Sequence, residues 1–171
     1  MSRSDGNNLI AKAFISQDGM DFYRRLFIDD QNKINCNKDL YLNLIQSGLG
    51  ADLNDFINTT RTKCPPLYKK LIEYRQLMEE SEKELPAKVR AFIHNRRRDV
   101  KSWFPCGHFD DAAFVDTFKR TGRDVAAMQA HEKRALYAYY PHMKRLINDE
   151  HFQKFLTGTQ EESYELFELL L

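Results

Sequence analysis

Turn-forming residues are scarce in this chain, with seven glycines and five prolines among 171 residues. A sandwich or barrel of short strands needs more turns than these can supply, so the composition favours helices. Long apolar runs are also missing. The hydrophobic clusters extend only a few residues, well short of the roughly 20 that a membrane-spanning helix requires. The three cysteines, Cys36, Cys64 and Cys106, are widely spaced and odd in number, which is not the pattern of a disulfide framework. With no recognisable secretory leader, the expected setting is intracellular and reducing, nuclear or cytoplasmic, with no membrane partner.

Catalytic signatures are absent too. The sequence contains no G-x-x-x-x-G-K-S/T, no G-x-G-x-x-G, no G-x-S-x-G and no H-E-x-x-H. Its paired carboxylates, Asp29-Asp30 and Asp110-Asp111, are adjacent, so on a helix they point about 100° apart and make no acid–base dyad. The expectation is a protein that is not an enzyme and carries no cofactor.

What is present is enough apolar material for a core: 42% hydrophobic residues, 12% of the chain aromatic. The expected fold is all-α, a compact multi-helix bundle of roughly eight to ten short helices. Leu9, Ile10, Ala13 and Phe14 recur at helical spacing towards an end near Gly19. Phe22, Leu26 and Phe27 share the face of a second helix, and Leu40, Leu44 and Ile45 that of a third. Asp52-Leu53 opens a fourth, with Phe56 and Ile57 inward. Pro65-Pro66 starts a helix carrying Leu67, Leu71, Ile72, Tyr74 and Met78, because the first turn needs no N–H donor there. Glu79–Glu84 reads as a solvated turn. Pro86 begins a helix with Val89, Phe92, Ile93 and Val100 inside. Pro105-Cys106-Gly107 punctuates the chain, dividing an N-terminal region, 1–104, from a C-terminal one, 105–171.

Charge is distributed unevenly. Residues 1–60 carry 6 Lys/Arg against 8 Asp/Glu, residues 61–145 carry 19 against 11, and residues 146–171 carry 1 against 6. The basic middle either faces a polyanion, pairs with the acidic tail, or is a solvated surface. Lys88, Arg90, Arg96, Arg97, Arg98 and Lys101 form its densest cluster. Clustered cations of this kind suit phosphate binding, since each contact releases counterions. Cys64, His94, Cys106 and His108 are the residues that could complete a zinc tetrahedron, although without paired C-x-x-C spacing.

The segment Phe109–Ile147 has the most distinctive pattern. It reads as three short amphipathic helices joined by a turn at Thr121-Gly122-Arg123-Asp124 and a break around His131. Phe114 and Phe118 lie four apart on one face. Gly122 can take a positive φ at a helix exit, and Asp124 can cap the helix after it. Leu136, Tyr139 and Tyr140 are expected inward, with Tyr137 outward beside Lys133 and Arg134. The acidic pair Asp110-Asp111, then Phe114, Phe118 and Gly122-Arg123-Asp124, then Tyr139-Tyr140 and Lys144, resembles SANT/Myb-like three-helix domains. It departs from them at Val125 and Phe109, where that family has tryptophan, and at Pro141, which interrupts the third helix. The resemblance implies a role in a chromatin or transcription complex.

These readings combine into an expectation of a helical protein-interaction module, an adaptor or regulator whose partner is another protein. Lys133, Arg134 and Tyr137 are the candidate contact residues, together with Leu166, Phe167 and Leu170 of an amphipathic tail suited to docking in a groove. The alternative is nucleic-acid binding through the basic middle. A small enzyme of unrecognised type is the third.

Overall fold

Eight helices follow one another along the part of the chain that a computed structural model describes, residues 13–26, 28, 53–103, 105, 108 and 110–158. They are α1 (Gln17–Arg25), α2 (Leu53–Lys63), α3 (Pro65–Lys83), α4 (Ala87–Ser102), α5 (Asp111–Ala126), α6 (Ala130–Tyr139), α7 (Met143–Ile147) and α8 (Glu150–Thr157). There is no strand among the described residues, so the fold is all-α. The expected stripe Leu40, Leu44 and Ile45 lies outside them. Gly19 does not end a helix; it sits inside α1.

The chain divides into two units, Asp18–Phe114 and Met1–Gln17 with Val115–Leu171. The division falls after Phe114, within α5, and not at Pro105-Cys106-Gly107. Residues far apart in sequence explain the difference. Phe14 packs edge-on against Phe118 at 5.6 Å and against Tyr140 at 6.0 Å between ring centroids, tying residues before α1 to the C-terminal helices.

In the unit Asp18–Phe114, α2 and α3 pack on each other, with Cys64 alone between them. Two prolines fill the first turn of α3, where a missing N–H costs nothing. The Cys64 carbonyl accepts the Tyr68 N–H at 3.0 Å, starting the helix ladder. Ile57, Leu67 and Leu71 form a buried cluster, with Phe22, Cys64, Tyr68 and Ile72 packed against it. Phe22 also stacks on Tyr74 at 4.5 Å. Glu79–Glu84 is not a turn, because α3 runs on to Lys83 and buries Glu82. Straight-chain Glu and Lys are good helix formers, and Glu82 has a cation opposite it. After α4, the Trp103 carbonyl takes the Asp110 N–H at 2.7 Å, and Trp103 packs on Phe114 at 4.5 Å. The Asp110 carboxylate then accepts the Ala113 N–H at 2.9 Å and caps α5.

In the other unit, Phe118, Val125, Leu136, Met143, Leu146, Phe152 and Phe155 are almost fully buried. The segment 109–147 does hold three helices, but their breaks fall elsewhere than expected. Helix α5 runs straight through Thr121–Asp124, and the first break comes at Ala127–Gln129. Gly122 takes no turn. A Cβ there would lie 2.5 Å from both Leu156 methyls, so the glycine makes room for α8. Asp124 stays inside α5, and α6 starts at Ala130, just after its cap Gln129, whose N–H is accepted by the Glu132 carboxylate at 2.8 Å. His131 lies within α6 and breaks nothing. Pro141 does interrupt as expected: α6 ends at Tyr139 and α7 begins at Met143. Asp149 caps α8 by accepting the His151 and Phe152 N–H groups at 2.9 and 3.1 Å.

Candidate functional site

The basic cluster lies along α4, whose buried face carries Val89, Phe92 and Ile93 and also one of the cluster's own members, Arg96. Its arginines differ in fate. Arg90 reaches back to the end of α3 and donates to the Lys83 and Leu85 carbonyls at 3.0 and 2.5 Å. The last carbonyls of a helix have no partner within it, and Leu85 lies in the link to α4, so Arg90 closes the end of α3 and fastens that link. Arg96 is buried, paired with Asp99 at 3.1 Å, and its guanidinium lies 5.4 Å from the Phe92 ring centre. Arg97 is half-buried and holds the buried Glu82 with two hydrogen bonds, one of them 3.1 Å. Arg98 is exposed and donates to Asn95 at 3.0 Å. Lys88 is exposed, and the Lys101 side chain lies outside the described residues.

Three of the proposed phosphate ligands, Arg90, Arg96 and Arg97, are therefore committed to internal acceptors. A phosphate would have to displace Asp99 to reach Arg96, stranding a buried carboxylate, which costs several kcal/mol. Sequence spacing could not reveal this, because the acceptor for Arg97 is 15 residues away on another helix.

Of the candidate zinc ligands, Cys64 is half-buried with a free thiol, His94 and His108 are exposed, and Cys106 lies outside the described residues. No three His, Cys, Asp or Glu side chains among the described residues come together in a way that could hold a metal ion. None of the described helices is long and apolar enough to cross a membrane.

The α6 site is built differently. Leu136, Tyr139 and Tyr140 are buried, as their spacing requires. Ala130, Arg134 and Ala138, four apart in sequence, form an exposed row on the opposite face. Tyr137, expected outward, lies between these two faces and is half-buried. The helical step places it about 60° from Arg134 and 100° from Leu136. Burial raises its phenol pKa above the usual 10.0. Lys133 is half-buried and donates to the Ala126 carbonyl at 3.2 Å, so it helps to close α5. Arg134 is exposed, with no hydrogen bond or ion pair to a described residue. Leu166, Phe167 and Leu170 lie outside the described residues.

Two further exposed cations, Lys144 and Arg145, were not among the expected contacts. A signal for them existed. Met143 and Leu146 stand three apart and bury one face of α7, which turns the residues between them outward. No family model matches this chain, and no curated protein or solved structure is significantly similar to it.

Proposed function

We propose that this chain is a non-enzymatic helical interaction module, an adaptor or regulator that recognises another protein through helix surfaces. The observation that carries the reading is the outer face of α6, where Arg134 is exposed between the exposed Ala130 and Ala138 and Tyr137 is half-exposed beside them. Tyrosine and arginine are the side chains that most often anchor protein interfaces. The fate of the α4 arginines weighs against the nucleic-acid alternative, since Lys88 and Arg98 are the only exposed side chains of that cluster among the described residues. A place in a nuclear chromatin or transcription complex rests on the SANT/Myb-like pattern and belongs to the proposal.

A photo-crosslinking amino acid at Ala138 tests the reading in extract from the source cells. One protein should be joined there, identified by mass spectrometry and rebound in purified form, and Tyr137→Ala should reduce that binding. Crosslinks from position 98 to DNA or RNA, with none from position 138 to protein, would overturn it.

A further inference from the structure

We infer that the exposed cations of α6 and α7 bind an acidic peptide segment of the partner protein. The inference rests on the interaction-module reading and names the chemistry of the partner. Three cations carry it: Arg134, Lys144 and Arg145 are all exposed, and none of their side chains has a hydrogen bond or ion pair to a described residue. Among the described residues no carboxylate pairs with them, the exposed Glu150 of α8 included. The only acid between Ala130 and Ile147 is Glu132, and its carboxylate is turned onto the Gln129 N–H at 2.8 Å. Asp149, just beyond, is likewise held on the His151 and Phe152 N–H groups. The stretch thus keeps a net positive charge that nothing described within it offsets.

The shape of the surface favours a peptide over a nucleic acid. Ala130 and Ala138 flank Arg134 along one row, so another chain can approach the helix closely at that point. The half-exposed ring of Tyr137 beside that row offers an apolar contact for a side chain that accompanies the acidic residues. Three cations would neutralise only about three phosphates, fewer than the roughly six to ten contacts typical of strong duplex binders. For a short acidic segment three cations are enough, because complementary charge sets registry and encounter rate while the aromatic adds the apolar contact.

The test uses the full chain and a fluorescein-labelled synthetic peptide rich in Glu and Leu, titrated at low and moderate salt. The peptide should bind, binding should weaken with salt, and the same peptide with Gln for Glu should not bind. Charge reversal at three positions, Arg134→Glu, Lys144→Glu and Arg145→Glu, should weaken binding at least about tenfold, whereas Arg98→Glu changes it little. Should the reversed variant fail to fold by circular dichroism, the three Gln replacements should show the same direction of loss.

No binding at low salt, or an equal loss from Arg98→Glu, overturns the inference. So does tighter binding of a single-stranded RNA oligonucleotide that depends on the same three cations. If the acidic peptide fails while position 138 still crosslinks to one protein, the acidic class is wrong and the interaction reading stands. If both fail, both readings fall.

Discussion

In the unit Asp18–Phe114, charge is taken into the structure: Arg96 lies against Asp99 and over Phe92, and Arg97 grips a buried Glu82 on another helix. In the unit of the C-terminal helices the interior is aromatic and aliphatic, with Phe118, Tyr139, Tyr140, Phe152 and Phe155 buried, while Arg134, Lys144 and Arg145 stand in solvent. The difference teaches that a run of basic residues has no function of its own. A guanidinium opposite a buried carboxylate belongs to the framework, as Arg97 does in holding α4 to α3; one with nothing opposite stays in solvent. Breaking the first kind should cost stability and breaking the second should cost binding.

The largest effect is expected in the aromatic interior. Phe118→Ala should destabilise the protein by about 4 kcal/mol, since Phe118 is almost wholly buried and its cavity cannot collapse fully. Chemical denaturation measures this, and a loss below about 1 kcal/mol would show that the side chain is not core. Next comes the buried ion pair. Asp99→Ala should cost about 3 kcal/mol by taking away the carboxylate paired with the buried Arg96, while the double replacement Arg96→Met with Asp99→Leu should recover most of it. If the double variant is no better than the single one, the cost comes from packing and not from an unpaired charge.

Gly122→Val should cost about 2 kcal/mol, because its side chain would meet Leu156, and the loss should shrink in a Leu156→Ala background. A loss unchanged in that background would place the conflict elsewhere. The comparison of cations is tested most directly by two single substitutions. Arg97→Ala should cost about 1.5 kcal/mol by exposing Glu82 to an unmet hydrogen bond, and Arg134→Ala should stay within about 0.5 kcal/mol. Equal costs would erase the distinction between the two regions.

The smallest effect concerns pH. The Tyr137 phenol is held above its ordinary pKa by burial, so the folded state keeps its proton longer than the unfolded chain does. The unfolded chain then binds fewer protons between the two values, and stability falls as pH rises past about 10. Tyr137→Phe should flatten that fall in denaturation midpoints measured at alkaline pH. An identical alkaline slope in both proteins would assign it to other groups.

Much of the helical framework was legible because it depends on neighbours in sequence. Pro65-Pro66 and Pro141 mark a helix start and a helix stop through covalent geometry alone. Leu67, Leu71 and Met78, like Val89, Phe92 and Ile93, are buried where helical spacing puts them. The misread positions have partners that are distant. Gly122 has the composition of a turn but serves a close approach to Leu156, a residue more than thirty positions later. Glu82 looks solvated until Arg97 is opposite it.

What the sequence by itself determined is the all-α class, the helix ends that prolines mark, and which side chains share a face, since these follow from backbone chemistry and a fixed helical period. The tertiary structure alone decided which cations have acceptors, where the units divide and which glycine makes room for a neighbour. Those outcomes depend on what lies across a gap of a few ångströms, and no local rule of spacing specifies that.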